Sequence, residues 1–205
     1  MKVALLGGTG SFGQAMAKRL VDAGVEVVIG SRDAERARDA ASPLGAEGAS
    51  NEEAVGGVDL VVLAVKAEGA LDTARALRAA IGTTPVLSPC AELGFGPGGV
   101  RPSPESTSIA ERIQAELDAP VAAGLHSLAA ANLAAAPPEE DALVCGDDAA
   151  SKGLALELAG RLVSGRAVDC GPLASARALE GMTAVIVNVN RRYKAHAGLR
   201  LTGIS

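Results

Sequence analysis

Aromatic residues are nearly missing from this 205-residue chain: it has no Trp, one Tyr and two Phe. The core must therefore be aliphatic, and an apolar content of 48% suffices for one. Only Phe12, Phe95 and Tyr193 are left to stack on bases, so single-stranded nucleic acid is not an expected partner. Positive charge is also short. With 24 acidic and 19 basic residues the net charge is −5, the wrong sign for attraction to a phosphate backbone. Cys90, Cys145 and Cys170 are odd in number and far apart, which argues against a disulfide framework. Two histidines and no C-x-x-C pair leave a structural zinc without ligands, so no metal is expected. No apolar run approaches the roughly 20 residues of a membrane span. No charged leader or cleavage site precedes the first strand either, so the expectation is a cytoplasmic chain with no membrane partner.

What is present is a strand–helix alternation. Residues 2–6 form a short apolar run, as a doubly buried parallel strand requires. From Ser11 the period turns helical, with Phe12, Met16 and Leu20 on one stripe, and Gly24 closes that helix. Strands are predicted over 25–29 and 58–65, with a helix from about Asp33 between them. A helix over 71–81 and a strand ending near Ser88-Pro89 follow. Such alternation predicts α/β architecture, a doubly wound parallel sheet of Rossmann type. The glycine-rich segment 94–99 reads as a mobile loop over the strand ends. A helix over 106–117 and a strand over 121–125, ending at His126, come next. Pro137-Pro138 suggests a boundary, giving a Rossmann domain over 1–133 and a small α/β portion over 134–205. That portion should hold strands at 142–145 and 166–169, a helix at 149–163 and a long final helix after Pro172. Leu179, Met182, Ile186, Val189 and Tyr193 mark the last helix's apolar stripe.

Gly8-Thr9-Gly10-Ser11-Phe12-Gly13 fits G-x-G-x-x-G. The pattern alone is weak in a chain with 25 glycines. Its setting, directly after a strand and opening a helix, makes it a dinucleotide fingerprint. Gly8 would allow the tight turn, Gly10 the approach of the pyrophosphate, and Gly13 close helix packing. The helix N-terminus offers free N–H groups to the anion. An NAD site would place an acid at the end of the second strand. Here the strand ends Gly30-Ser31-Arg32, with Arg36 one turn on. A hydroxyl and two guanidinium forks suit a 2′-phosphate, so NADP(H) is the expected cofactor. The bland alternative is a solvated face, with both arginines paired to Asp33 and Glu35.

Beyond the dinucleotide, the chain resembles the NADPH-dependent reductases of the deazaflavin coenzyme F420. The resemblance runs through Val3–Gly10 with Gly13, Gly30-Ser31-Arg32, Ser88-Pro89 and Leu125-His126-Ser127. It continues through Val144–Asp148 with Ser151-Lys152, Asp169-x-Gly-Pro-Leu173 with Arg177 and Glu180, and Asn188-x-Asn-Arg-Arg-Tyr-Lys194. It implies that Thr9 to Phe12 touch the pyrophosphate and that Ser31, Arg32 and Arg36 hold the 2′-phosphate. Ala67 and Leu71 would border the nicotinamide, with Ala130 beside it after the His126 turn. Two stretches depart from the family pattern, both on the acceptor side. Lys66-Ala67 stands where a proline and a bulkier, often aromatic residue are expected. Cys90-Ala91-Glu92-Leu93 replaces a loop richer in proline and aliphatic residues.

The resemblance implies reversible hydride transfer between NADP(H) and coenzyme F420, which needs positioning rather than a nucleophile, so no side chain is assigned as catalytic. His126 is placed at the cofactor, more as an orienting group than as a proton donor. Asp147-Asp148 reads as a helix cap before a metal pair, and the cysteines as core residues. The basic run from Arg191 to Arg200 is either a solvated face or an attraction for an anionic cofactor tail. Partners should be small-molecule cofactors and a second copy of the chain, a homodimer. Rival readings are an NADP-dependent reductase of a flavin, ferric chelate or imine, and an NADP sensor without turnover.

Overall fold

The computed structural model describes residues 1–204. Its strands are β1 (Lys2–Leu6), β2 (Glu26–Ser31), β3 (Glu47–Ser50), β4 (Leu60–Leu63), β5 (Val86–Ser88), β6 (Leu93–Gly96), β7 (Gly99–Pro102), β8 (Val121–Gly124), β9 (Ala142–Gly146) and β10 (Ala167–Asp169). Its helices are α1 (Ser11–Asp22), α2 (Ala34–Ala41), α3 (Asn51–Ala54), α4 (Ala67–Ile81), α5 (Ile109–Glu116), α6 (Ala130–Ala135), α7 (Ala149–Leu162) and α8 (Ala176–Tyr193). Eight strands form one sheet in the order β10-β9-β8-β5-β4-β1-β2-β3. The apolar runs of β1, β4 and β5 sit at its centre, where both faces are covered. One aliphatic core lies under α1, α2, α6 and α7, and a second under α3, α4, α5 and α8. The sheet is doubly wound, as its sequence period predicts.

One step is not parallel: β9 runs antiparallel to β8. A parallel neighbour needs a crossover that carries the chain back to the strands' starting edge. The connection after β8 does not provide one, because α6 is short and lies against α1. The chain therefore re-enters the sheet from the edge it had just left. Helix α7 then makes a full crossover, and β10 pairs parallel to β9.

Several boundaries differ from the sequence expectation for local reasons. Segment 94–99 is not a mobile loop but the tip of an antiparallel hairpin formed by β6 and β7. Asn188 of α8 clamps it: its Oδ1 accepts from Val100 N at 2.8 Å, and its Nδ2 donates to Val100 O at 2.7 Å. Helix α5 starts at Ile109 rather than 106 because Ser108 and Glu111 form a capping box. Helix α4 starts at Ala67 rather than Leu71. Strand β3 and helix α3 were not expected at all; Ser50 and Glu53 cap α3 reciprocally. On α8 the stripe is buried at Leu179, but Val189 and Tyr193 are exposed at its far end.

Candidate functional site

The order reverses between β1 and β4, so the crevice beyond the carboxyl ends of these strands is where a ligand should bind. The glycine loop leaves β1 there. The left-handed residue of the turn is Gly7, at φ +86°, and not Gly8 as the fingerprint suggests. Gly8 is needed for space: a methyl group on it would come within 2.9 Å of Ile29 on β2. Gly10, exposed at the N-cap of α1, has no atom closer than 3.5 Å to where a side chain would begin, so its outer face is open. The first helical bond runs from Gln14 N to Gly10 O at 2.8 Å. The N–H groups of Ser11, Phe12 and Gly13 thus lack a helical acceptor. No side chain caps α1, and no acid sits in its first turn. A terminus left open in this way fits a bound pyrophosphate.

Ser31 ends β2 beside this loop, and its Oγ accepts from Asp33 N at 3.2 Å. Asp33 is occupied as the cap of α2, accepting from Glu35 N and Arg36 N. Arg32 and Arg36 are exposed, and neither forms an ion pair among the described residues. The expected alternative of pairing with Asp33 and Glu35 is not seen among the described residues, and both side chains stand in solvent. Two free guanidinium groups next to a serine hydroxyl fit a 2′-phosphate.

Ala67 and Leu71 lie one turn apart on α4, half-buried at the same edge. His126 follows β8 by way of Leu125, which adopts φ +68° while 1% exposed. A buried leucine rarely takes this conformation, and here it turns the chain sharply enough to end β8 at Gly124. His126 is 7% exposed, and its Nε2 lies 3.0 Å from Cys90 O. Burial pushes its pKa down to about 4, an effect that the Cys90 bond only partly offsets. Its Nδ1 is buried without a partner. Ala130 opens α6, which packs on α1 and so joins this side of the crevice to the glycine loop.

A family profile described as NADP oxidoreductase coenzyme F420-dependent matches residues 2–92. An F420-dependent NADP reductase of Methanothermobacter thermautotrophicus is 33% identical, over all of this chain and 96% of its own length. One from Methanocaldococcus jannaschii is 32% identical, over all of this chain and 99% of its own. The chain belongs to the F420-dependent NADP reductase family. A crystal structure from Arthrobacter sp. has a TM-score of 0.84 at 25% identity and covers 99% of this chain and 100% of its own. A Streptomyces aurantiacus imine reductase structure shares the fold, with a TM-score of 0.65 at 21% identity over 95% of this chain and 62% of its own.

Lys66-Ala67 and the stretch that starts at Cys90 lie together at the carboxyl edge. Lys66 is exposed at the N-cap of α4. Cys90 is 4% exposed and reaches back to the end of β4, where its Sγ donates to Leu63 O at 3.0 Å. Other groups at this edge were given no role by the sequence. Thr183 of α8 donates from Oγ1 to His126 O at 3.0 Å. Ser88 is fully buried at the end of β5 and interacts with the Cys90 thiol. Glu180 is 1% exposed, accepts from Ile109 N at 2.7 Å, and is raised to about 7 by burial. Nothing in local spacing signals the roles of Thr183 and Glu180, because each partner is remote in sequence. Of the acid pair, Asp148 caps α7, whereas Asp147 accepts from Leu173 N at 2.9 Å. His196 is exposed on the tail. Among the described residues no helix is long and apolar enough to cross a membrane.

Proposed function

We propose that this protein transfers hydride reversibly between NADP(H) and coenzyme F420, with no covalent intermediate. The observation that carries the reading is an alignment to F420-dependent NADP reductases, at 32–33% identity, that covers the whole chain and so its acceptor half as well. The two substrates supply the chemistry: hydride passes between C4 of the nicotinamide and C5 of the deazaflavin. The protein's share is to bind, orient and exclude water.

Segment 1–133 would carry the NADP half, and 134–205 would complete the acceptor side. The glycine loop from Gly8 to Gly13 holds the pyrophosphate, and Ser31, Arg32 and Arg36 hold the 2′-phosphate. Ala67 and Leu71 border the nicotinamide, with Ala130 and His126 across from them. A neutral His126 orients a ring by accepting a hydrogen bond at Nδ1. An open cleft of about 610 Å³ between the β6–β7 hairpin and α8 is lined by Arg191, Arg192 and Asn188, and would receive an anionic tail. Val185, Val189 and Tyr193 form an exposed stripe on α8, which suits a homodimer contact that light scattering would check. A cytoplasmic location is in keeping with these substrates.

The test is NADPH oxidation with a panel of acceptors. Turnover with F420, and little with flavin, ferric chelate or imine, is expected. Brisk turnover with one of the others and none with F420 would contradict the acceptor. Binding without turnover on any acceptor would indicate a sensor.

A further inference from the structure

Cys90 joins three chain segments at the ligand edge of the sheet: its own after β5, the exit of β4 and the turn after β8. Its Sγ lies 3.0 Å from Leu63 O and 3.3 Å from Val65 O, so the thiol is shared between two carbonyls at the exit of β4. That exit leads within two residues to Ala67 at the head of α4. Its own carbonyl faces Nε2 of His126, the first residue but one after β8. Thr183 fixes the His126 backbone from the α8 side.

Two consequences follow from donor and acceptor chemistry. A carbonyl can only accept, so Nε2 of His126 carries the proton and Nδ1 carries a free lone pair. Burial pushes the Cys90 thiol up to about 12, so it stays an S–H donor, as two carbonyl acceptors require. His126 Nδ1 is buried and has no partner among the described residues. Ser88 interacts with the Cys90 thiol, and His126 is bonded to the Cys90 carbonyl. Orphaned polar atoms of this kind are rare in a folded interior. This open lone pair beside Cys90, on the edge where ligands bind, marks a group held ready for a ligand's hydrogen bond.

We propose that Cys90 is a positioning residue for the nicotinamide end of the site: its thiol fixes the backbone that carries Ala67, and its carbonyl fixes the tautomer that leaves His126 Nδ1 open to an N–H donor on the bound ring. The proposal rests on the NADP(H) reading above. It gives a role to a side chain that departs from the family pattern, and it separates Cys90 from Cys145 and Cys170. Those two also lie in apolar surroundings, but their sulfurs approach carbonyls only at 4.0 and 3.7 Å.

The test pairs a spectroscopic readout with kinetics. In a Cys145→Ala, Cys170→Ser background Cys90 is the sole thiol, and its S–H stretch is one infrared band. NADP+ should shift that band, while adenosine 2′,5′-bisphosphate, which fills only the adenosine end, should leave it in place. In the otherwise native chain, Cys90→Val should lower kcat about tenfold or more, with KM for NADPH changed less than about threefold. Cys90→Ser keeps a donor and should recover most of the rate. A band unmoved by bound NADP+ overturns the proposal. So does a Cys90→Val protein that turns over normally and only melts earlier, since a core filler would behave that way. Failure of the native chain to bind NADPH at all, seen as unchanged nicotinamide fluorescence, would overturn the cofactor reading and this proposal with it.

Discussion

Gly13 packs so tightly on Gly8 that a methyl group added to it would stand 2.6 Å from the Gly8 Cα, and equally close to Gly7 O. This contact sets the angle at which α1 leaves the loop, and with it the aim of the free N–H groups. Gly13→Ala must push helix and loop apart. We expect a loss of about 1–3 kcal/mol in stability, as for other overpacked sites, and at least tenfold weaker NADPH binding. Denaturant unfolding and fluorescence titration check both. An alanine variant that binds normally would show that the loop does not hold the pyrophosphate.

Arg32 forms no ion pair among the described residues, and Asp33 beside it is committed to capping α2. Arg32→Ala should weaken NADPH binding by about 1.5–3 kcal/mol, the scale of a charge-assisted hydrogen bond. NADH has no 2′-phosphate and should be nearly unaffected. Equal losses for the two would mean that the phosphate is read elsewhere.

Glu180 and His126 pull the pH dependence of stability in opposite directions. His126 falls from 6.5 to about 4 on folding, so the unfolded chain binds the extra proton and stability rises with pH across that window. Glu180 rises from 4.5 to about 7, so the folded chain holds the extra proton and stability falls with pH across that window. Each effect is about 1–3 kcal/mol, and in the native protein they largely offset one another. Urea unfolding from pH 4.5 to 7.5 should therefore be shallow for the wild type. Glu180→Gln should unmask a rise with pH, and His126→Gln a fall. Two variants that both track the wild type would contradict these assignments.

Much of this was legible in the sequence because it depends on neighbours in the chain. The glycine loop, the end of β2 at Ser31-Arg32 and the buried runs of β1 and β4 all show themselves within a few residues. The antiparallel turn of β9 did not, since it follows from how α6 packs on α1. The hairpin at 93–102 looked structureless because glycine dominates it, and its order comes from Asn188, 88 residues after Val100. Strand β3 has no β-branched residue and exists because β2 offers it a free edge. The acceptor side was hardest to read. Its polar contacts, Cys90 to Leu63 and Thr183 to His126, join positions 27 and 57 residues apart.

Direct hydride transfer between two substrates held face to face can be followed by label: NADPH carrying deuterium at both C4 positions is mixed with oxidised F420 and the enzyme in ordinary water. F420 absorbance should bleach as NADPH is consumed, and one prochiral deuterium should appear at C5 of the reduced deazaflavin, with no loss to solvent. Consumption of NADPH with solvent hydrogen at C5, or no reaction with F420 at all, would contradict it.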